Sequence, residues 1–267
     1  MMLRRSASTA RDAIGLVATG GVGLALLAGS ISVTAAAPNL RGVAARELSG
    51  SAGAAKSSAS WSGYVATSRL PLTYVTAAWM VPAVSCVSTT LQAAAEWVGF
   101  DGWYDKTVEQ GGTEAYCSGR TPQYSAWWEM YPTNQMAQLF PVRPGDSISA
   151  SVTYRTGLFT IAVRDLTSGR SSVLVERCAS TVTCSRSSAE WIAEAPAYGG
   201  HRAGLAHWNG LRFSEALTSS SITPGTGSDI SAFANFKVEM SGTHGAMAQP
   251  SALIDGRGFN DSWISST

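Results

Sequence analysis

Apolar and polar residues alternate over many short segments of the chain. In residues 148–154 every second side chain is apolar, and residues 159–163 repeat the pattern after a turn at Thr156-Gly157. Because successive side chains of a strand point to opposite faces, this alternation indicates strands with one buried face. The two segments therefore predict a β-hairpin.

Similar segments recur at intervals of about 8 to 12 residues beyond Trp61, separated by Gly, Pro and Ser clusters. A late strand is predicted around residues 233–240, and residues 262–265 are a candidate for the last one. No stretch after residue 60 has a convincing helical period. Two antiparallel sheets packed face to face are the usual way for such strands to bury their apolar faces. We therefore predict an all-β fold, an antiparallel β-sandwich, for residues 61–267.

The first 37 residues have the pattern of a secretory signal peptide. Arg4 and Arg5 precede an apolar, Gly-rich run over residues 13–29, and the small residues 34–37 follow it. A retained membrane anchor is the alternative, but the run is short for a membrane span and is diluted by glycine. We expect residues 1–37 to be removed and the protein to be extracellular, without membrane association.

Residues 38–60 are rich in Ala, Ser and Gly and poor in large apolar residues. A segment of this composition cannot build a core of its own. We therefore expect a linker or a short propeptide, and composition alone does not separate the two.

The charge balance argues against a nucleic-acid partner. The chain has 19 basic and 18 acidic residues. Loss of Arg4, Arg5, Arg11 and Asp12 with the signal leaves 16 and 17, a net charge of −1. No basic run remains to neutralise phosphates. We expect a nearly neutral monomer.

Four cysteines in a secreted chain suggest two disulfides, for which three connectivities exist. Cys178 and Cys184 are close enough in sequence to close one hairpin, which would leave Cys86 with Cys117. The alternative is a zinc site, but there is no C-x-x-C and no paired His. We predict no metal and no cofactor.

Candidate chemistry lies on strands with acidic and aromatic residues on one face. Strand parity places Glu190 and Glu194 on the same face of the segment 189–195, and we expect their carboxylates side by side, about 6 to 7 Å apart. In residues 125–131 the same parity groups Glu129 with bulky aromatic rings.

Two further strands add to this polar surface. Trp97 and Asp101 share a face, and Gln110 lies on the next strand. A solvated sheet face is the ordinary explanation for alternate acids. A merely solvated face has no need of Trp and Tyr rings, however, so we expect a groove.

Three segments resemble the glutamic peptidases, or eqolisins, and occur in that family's order. The first is Trp97-Val-Gly-Phe-Asp-Gly102 with Gln110 eight residues beyond it, the second is the run from Tyr124 to Pro132, and the third is Ala189-Glu-Trp-Ile-Ala-Glu194. The resemblance covers about residues 61–213. It implies a sandwich of two curved sheets, similar to the jelly rolls of lectins and glucanases. The signal sequence suggests a bacterial-type secreted member.

The resemblance implies that Gln110 and Glu190 are the catalytic residues of a secreted endopeptidase acting on polypeptides. A carboxylate can take a proton from the attacking water and return it to the leaving amine. An amide N–H can stabilise the developing oxyanion. Supporting roles are expected for two groups of residues: Asp101, Glu129 and Glu194 as partners of the pair, and Trp61, Trp97 and Tyr131 as walls of the cleft.

The converging acids predict activity on the acid side of neutrality, because such a site works best when some carboxyls are protonated. Two alternatives remain at this point. A glycoside hydrolase would use Glu190 with Glu194 or Glu129 as its acid pair. A lectin-like module would use the aromatic residues to bind sugars without cleaving them.

Overall fold

The computed structural model describes residues 53–88, 90–221 and 226–267. The predicted signal peptide and most of the predicted linker lie outside these ranges. The chain divides into two units between Ala45 and Arg46, and all described residues belong to the second unit.

The described residues form short and long strands and one 3-10 helix, Ile230–Ala232. The strands are β1 (Gly53–Ser58), β2 (Trp61–Thr67), β3 (Tyr74–Met80), β4 (Val84–Ser85), β5 (Gln92–Phe100), β6 (Val108–Ser118), β7 (Thr121–Tyr131), β8 (Asn134–Pro141), β9 (Ser147–Arg155), β10 (Leu158–Asp165), β11 (Ser171–Glu176), β12 (Ser188–Glu194), β13 (Ala197–Tyr198), β14 (His201–Arg202), β15 (Gly204–Leu205), β16 (His207–Trp208), β17 (Leu211–Ser219), β18 (Ser228–Asp229), β19 (Ala234–Gly242), β20 (Gly245–Pro250) and β21 (Phe259–Trp263).

The strands build two large sheets that pack against each other, as the alternation predicts. In sheet A the order is β8-β7-β6-β5-β12-β2-β19-β1, extended by β20, β21 and the start of β17. In sheet B the order is β11-β10-β9-β3-β17-β18. Neighbours are antiparallel except in the pairs β1–β19 and β15–β5. The predicted antiparallel β-sandwich is confirmed.

Strand β17 belongs to both sheets. Residues 211–213 pair with β21 in sheet A, whereas Ser214 and residues 217–219 pair with β3 in sheet B. The register shifts between Ser214 and Leu217, where Glu215 has a φ of 49°. The bulge turns the strand from one sheet into the other.

The core lies between the sheets and is made of the inward-facing half of each alternating strand. Trp191 and Phe100 from sheet A and Ile161 and Val152 from sheet B are fully buried there. The predicted hairpin over residues 148–163 is β9 and β10. The predicted late strand is β19, and the last strand, β21, begins at Phe259 rather than near Ser262.

Strand β1 lies within residues 38–60, for which a linker or propeptide was predicted. It pairs in parallel with β19 at the edge of sheet A. The predicted boundary at residue 61 therefore falls between two strands of the same sheet. Removal of this segment during maturation stays a prediction.

The structure contains two disulfides, Cys86–Cys117 and Cys178–Cys184. These are the pairs that the spacing of the cysteines favours. In the ranges that the structure describes, no helix is long and apolar enough to cross a membrane.

Candidate active site

Five neighbouring strands of sheet A, in the order β2-β12-β5-β6-β7, turn one face away from the core. Their cross-strand pairing places five residues in one row across this face. The row consists of Val65, Glu190, Gly99, Gln110 and Glu129. Glu190, Gln110 and Glu129, which the sequence predicts to face one groove, therefore lie in a single row.

Gly99 separates Glu190 from Gln110. The two residues lie two strand spacings apart, about 10 Å between Cα atoms. A Cβ at position 99 would lie 2.7 Å from the Cβ of Gln110 and 2.8 Å from the carbonyl oxygen of Glu109. Because glycine stands here, no side chain lies between Glu190 and Gln110 in the row.

Gln110 is held by Glu129. Its Nε2 donates a hydrogen bond of 2.6 Å to Oε2 of Glu129, while its own Oε1 has no partner among the described residues. The side chain is nearly enclosed, with 5% of Gln110 exposed. Burial raises the pKa of Glu129, and the Gln110 hydrogen bond opposes this. One N–H of the amide is therefore used by Glu129, and the other has no acceptor among the described residues.

Glu190 is completely buried, and neither of its carboxyl oxygens has a hydrogen-bond partner in the described part of the chain. Burial raises its pKa well above the ordinary value, the Ser188 hydroxyl on the same strand face partly opposes this, and the charges of Asp101 and Glu109 raise it further. A carboxyl in such surroundings holds a proton readily.

Asp101 positions the strand that carries Glu190. It has a φ of 66°, is fully buried, and accepts hydrogen bonds from the backbone N–H groups of Arg186 (2.6 Å) and Ser187 (2.8 Å). These residues lead directly into β12. Burial raises the pKa of Asp101 to about 6, and the hydrogen bonds lower it in part.

Glu194 lies on the same face as Glu190, but the two are not side by side. Ile192 stands between them, and four residues of extended strand span about 13 Å. The expected separation of 6 to 7 Å was wrong, because it applies to residues two apart. Glu194 accepts a hydrogen bond of 2.7 Å from Trp97 Nε1, and burial raises its pKa to about 7 against this bond.

Aromatic rings cover one side of the row. The ring of Trp61, on β2, meets that of Trp97, on β5, edge to face at 5.0 Å, so it crosses β12. Trp103, which the sequence did not single out, lies 6.3 Å from Trp61. Tyr131 ends β7 and is 46% exposed, so it stands at the rim rather than in the wall.

A cavity of about 210 Å³ opens beside Gln110, Glu129 and Glu194. Glu114, Met136 and Tyr198 also line it and were missed at the sequence level. Parity could have found Glu114, which shares a strand face with Gln110. Tyr198 comes from the two-residue strand β13, which has no periodic signal.

Within residues 53–88, 90–221 and 226–267, no group of His, Cys, Asp and Glu is arranged to hold a metal ion. The functional groups in and beside the row are carboxyl, amide and aromatic groups. A carboxyl and an amide on one row of the same sheet face suit a reaction in which a proton moves and an oxyanion forms.

Known proteins resemble this chain in sequence and in fold. Residues 59–252 match the sequence model of the Peptidase A4 family. No match was found among curated proteins.

Three solved structures share the fold. Scytalido-glutamic peptidase with a transition state analog inhibitor has 21% identity and a TM-score of 0.67 over 77% of this chain and 98% of that chain. SCP-B, an eqolisin in complex with the tripeptide Ala-Ile-His, has 21% identity and a TM-score of 0.64 over 77% and 98%. Aspergilloglutamic peptidase from Aspergillus niger has 21% identity and a TM-score of 0.56 over 65% and 99%.

Proposed function

Because the chain belongs to the Peptidase A4 family and is therefore a hydrolase of peptide bonds, we propose that Gln110 and Glu190 are its catalytic pair. The observation that carries this proposal is the row across sheet A, in which only Gly99 separates the two side chains. The substrate class is polypeptide, cleaved internally. We further propose that the enzyme is a bacterial-type secreted protein, made with the signal peptide of residues 1–37, and acts as a monomer.

Glu190 acts first as the base and then as the acid. A water molecule above Gly99 gives its proton to the Glu190 carboxylate while its oxygen bonds to the peptide carbonyl carbon, and the carbonyl electron pair moves onto the oxygen. The intermediate then collapses, the C–N bond breaks, and Glu190 returns the proton to the leaving nitrogen. One buried carboxyl thus serves both transfers.

Gln110 stabilises the oxyanion. Glu129 accepts one of the two Nε2 hydrogens, which fixes the plane of the amide and leaves the second hydrogen for the substrate oxygen. A preorganised donor of this kind lowers the barrier by about 3 to 4 kcal/mol in other hydrolases. Glu129 is therefore a positioning residue, as is Asp101, which holds the start of β12.

The enzyme works on the acid side of neutrality in this proposal. The acids around the pair have raised pKa values, among them Glu194 at about 7. Because they interact, protons leave the group in steps that belong to the cluster. A cluster that carries one shared negative charge can place it on Glu190, which is then the base, whereas further ionisations above neutrality add charge that opposes a negative transition state. A maximum of kcat/KM above about pH 8 would contradict this.

The family match argues against both carbohydrate alternatives. Glycosidase carboxyls lie about 5 to 9.5 Å apart. The backbone positions of Glu190 and Glu194 lie about 13 Å apart along the strand, and those of Glu190 and Glu129 lie three strand spacings, about 14 Å, apart, so neither pair occupies adjacent positions on the sheet.

The pair is tested with Glu190→Gln and Gln110→Ala on a denatured protein at acid pH. We expect kcat to fall by roughly 10³-fold or more for the first variant and by about 10²- to 10³-fold for the second. A metal chelator and a serine-protease inhibitor should have no effect.

Glu239 and Gln249 provide a matched control. They form a comparable Gln–Glu hydrogen bond, 3.1 Å long, on strands β19 and β20 outside the cavity. Glu239→Gln and Gln249→Ala should keep full activity. Undiminished cleavage by Glu190→Gln or Gln110→Ala would refute the proposed pair.

A further inference from the structure

A second and larger cavity, about 630 Å³, adjoins the catalytic one. The two cavities share three wall residues, Glu114, Met136 and Tyr198. A polypeptide bound at Gln110 can therefore extend into the second cavity without leaving the surface of the protein. The volume is within the range of small-molecule sites and is ample for a large side chain together with its backbone.

The wall of this cavity is aromatic and uncharged at acid pH. The rings of Tyr116 and Tyr198 meet edge to face at 5.3 Å, and Met136 adds a flexible apolar surface. No Lys or Arg lines the cavity. Its one acid, Glu114, is 3% exposed, and burial raises its pKa, so acid conditions favour its neutral form.

Two amide side chains lie beside this apolar wall. Gln123 pairs across strands with Tyr116, and Gln138 pairs with Trp127, which puts both amides on the groove face of sheet A. Each amide offers a donor and an acceptor, which is what an extended peptide backbone requires. Apolar rings beside amide groups fit a peptide segment with a large apolar side chain.

Distance along β6 sets where this side chain lies in the substrate. Glu114 and Tyr116 follow Gln110 by four and six residues on the same strand, roughly 13 and 20 Å. An extended substrate rises by the same amount per residue. The cavity is therefore reached by a residue about four to six positions from the cleaved bond.

We propose that this cavity is a distant specificity subsite that binds a large apolar side chain, Phe or Leu, about four to six residues from the cleaved bond on one side. The proposal rests on the proposed function, since it takes Gln110 as the position of the cleaved bond. Its energetic effect is in substrate binding, because the side chain is far from the reacting atoms.

The test uses 14-residue peptides that contain one cleavable bond in an otherwise Ala-rich sequence. A single Phe, Leu, Lys or Ala is placed in turn at positions two to seven from the bond, on either side. With the wild-type enzyme, Phe or Leu at a position four to six residues away on one side should raise kcat/KM about tenfold or more over Ala, mainly through KM.

Tyr116 variants tie this preference to the cavity. Tyr116→Ala should reduce the Phe-to-Ala ratio at that position to below about threefold, whereas Tyr116→Phe, which keeps the ring, should retain it. Gln138→Ala provides a second variant at the cavity wall and should raise KM for every long peptide. Val175→Ala, at an exposed position on β11 of sheet B, is the control and should change nothing.

The outcomes separate the two proposals. If the wild-type enzyme cleaves none of the peptides, the proposed catalytic function fails. If it cleaves them but shows no positional preference, prefers Lys, or keeps its preference in Tyr116→Ala, the catalytic function stands and the subsite is refuted.

Discussion

Glu190 combines complete burial with two oxygens that accept no hydrogen bond from the described residues. Buried polar groups are almost always paired, because an unpaired one costs free energy. Glu109, on β6 two strands away, has the same two properties. Only Glu190, however, faces the row with Gln110, so parity distinguishes the candidate catalytic acid from its equally buried neighbour.

A substitution at Asp101 tests how the residues around Gln110 and Glu190 support the proposed catalytic pair. Its two carboxylate oxygens each accept a backbone N–H bond, and Asn offers only one acceptor oxygen. We expect Asp101→Asn to lower the free energy of unfolding by about 1 to 3 kcal/mol in urea titrations. Activity should fall as well, because the start of β12 loses its anchor.

Asp255→Asn is the matched control for that measurement. Asp255 is exposed and also has a positive φ, 50° against 66° for Asp101, and Asn accepts such a conformation as readily as Asp. The control should be within about 0.5 kcal/mol of the wild type. Equal stability of the two variants would show that the Asp101 hydrogen bonds do not matter.

The burial of several acidic side chains could not be predicted from the sequence pattern. Glu96 and Glu109 lie on the inward half of their strands, where alternation predicts apolar side chains. Glu96 is accommodated because Thr113 donates a hydrogen bond of 2.7 Å to it and in turn accepts one from Trp79. That three-residue chain joins strands from both sheets, so no local pattern could predict it.

At the level of strands, two glycines set how closely β5 and β6 approach each other. A Cβ at Gly112 would lie 1.9 Å from the carbonyl oxygen of Glu96, and one at Gly99 would lie 2.7 Å from the Cβ of Gln110. Strands β5 and β6 are therefore in close contact beside the row that contains Gln110. Side chains at either position would force them apart.

Gly99→Ala follows from this contact. The added methyl group should displace Gln110, destabilise the fold by about 1 to 3 kcal/mol and lower kcat at least tenfold. Gly204→Ala is the control, since its Cβ would meet atoms no nearer than 3.6 Å and β15 also pairs with β5. Thermal unfolding and peptide cleavage measured together would reveal an unaffected enzyme, which would contradict the role given to Gly99.

Strand prediction succeeded where alternation is regular and failed where it is absent. The hairpin β9–β10 and strand β19 follow directly from their period of two. Strand β1 has the sequence GAAKSS, with no apolar alternation, and it forms only because β19 offers an unpaired edge. The passage of β17 from sheet A to sheet B likewise depends on a bulge that its sequence pattern does not predict.

For the whole molecule, the buried acids predict an unusual dependence of stability on pH. Burial raises the pKa of Glu96 to about 8, of Glu109 to about 9 and of Asp261 to about 7. Unfolded carboxyls titrate near pH 4. Between these values the folded state binds protons that the unfolded state has lost, so stability is full below the unfolded pKa and is lost as the pH rises through the folded values.

We therefore expect the urea midpoint at constant ionic strength to be highest near pH 4.5 and to fall steadily toward pH 9. A shift of two pKa units in one such acid corresponds to about 3 kcal/mol over that window. Glu96→Gln should flatten the decline, and Glu215→Gln, at an exposed position, should not. A stability maximum between pH 7 and 8 would overturn this expectation.

The β-sandwich could be predicted from the sequence because the alternation in each long strand indicates it. The arrangement of the site residues could not, because it depends on which strands are neighbours in the sheet. Glu190 and Gln110 are 80 positions apart in sequence, and the row forms only because β12 inserts between β2 and β5. Face parity restricts which side chains can meet across a sheet. It does not give the strand order that brings them together.

Strand β17 has a mechanical consequence for the enzyme. Because its first residues hydrogen-bond in sheet A and its last in sheet B, neither sheet can separate without breaking the backbone ladder of the other. Arg257 reinforces the junction through ion pairs to Glu215 and Asp229. The two layers are thus one cooperative unit, and amides on both sides of the bulge should exchange with deuterium through the same global opening.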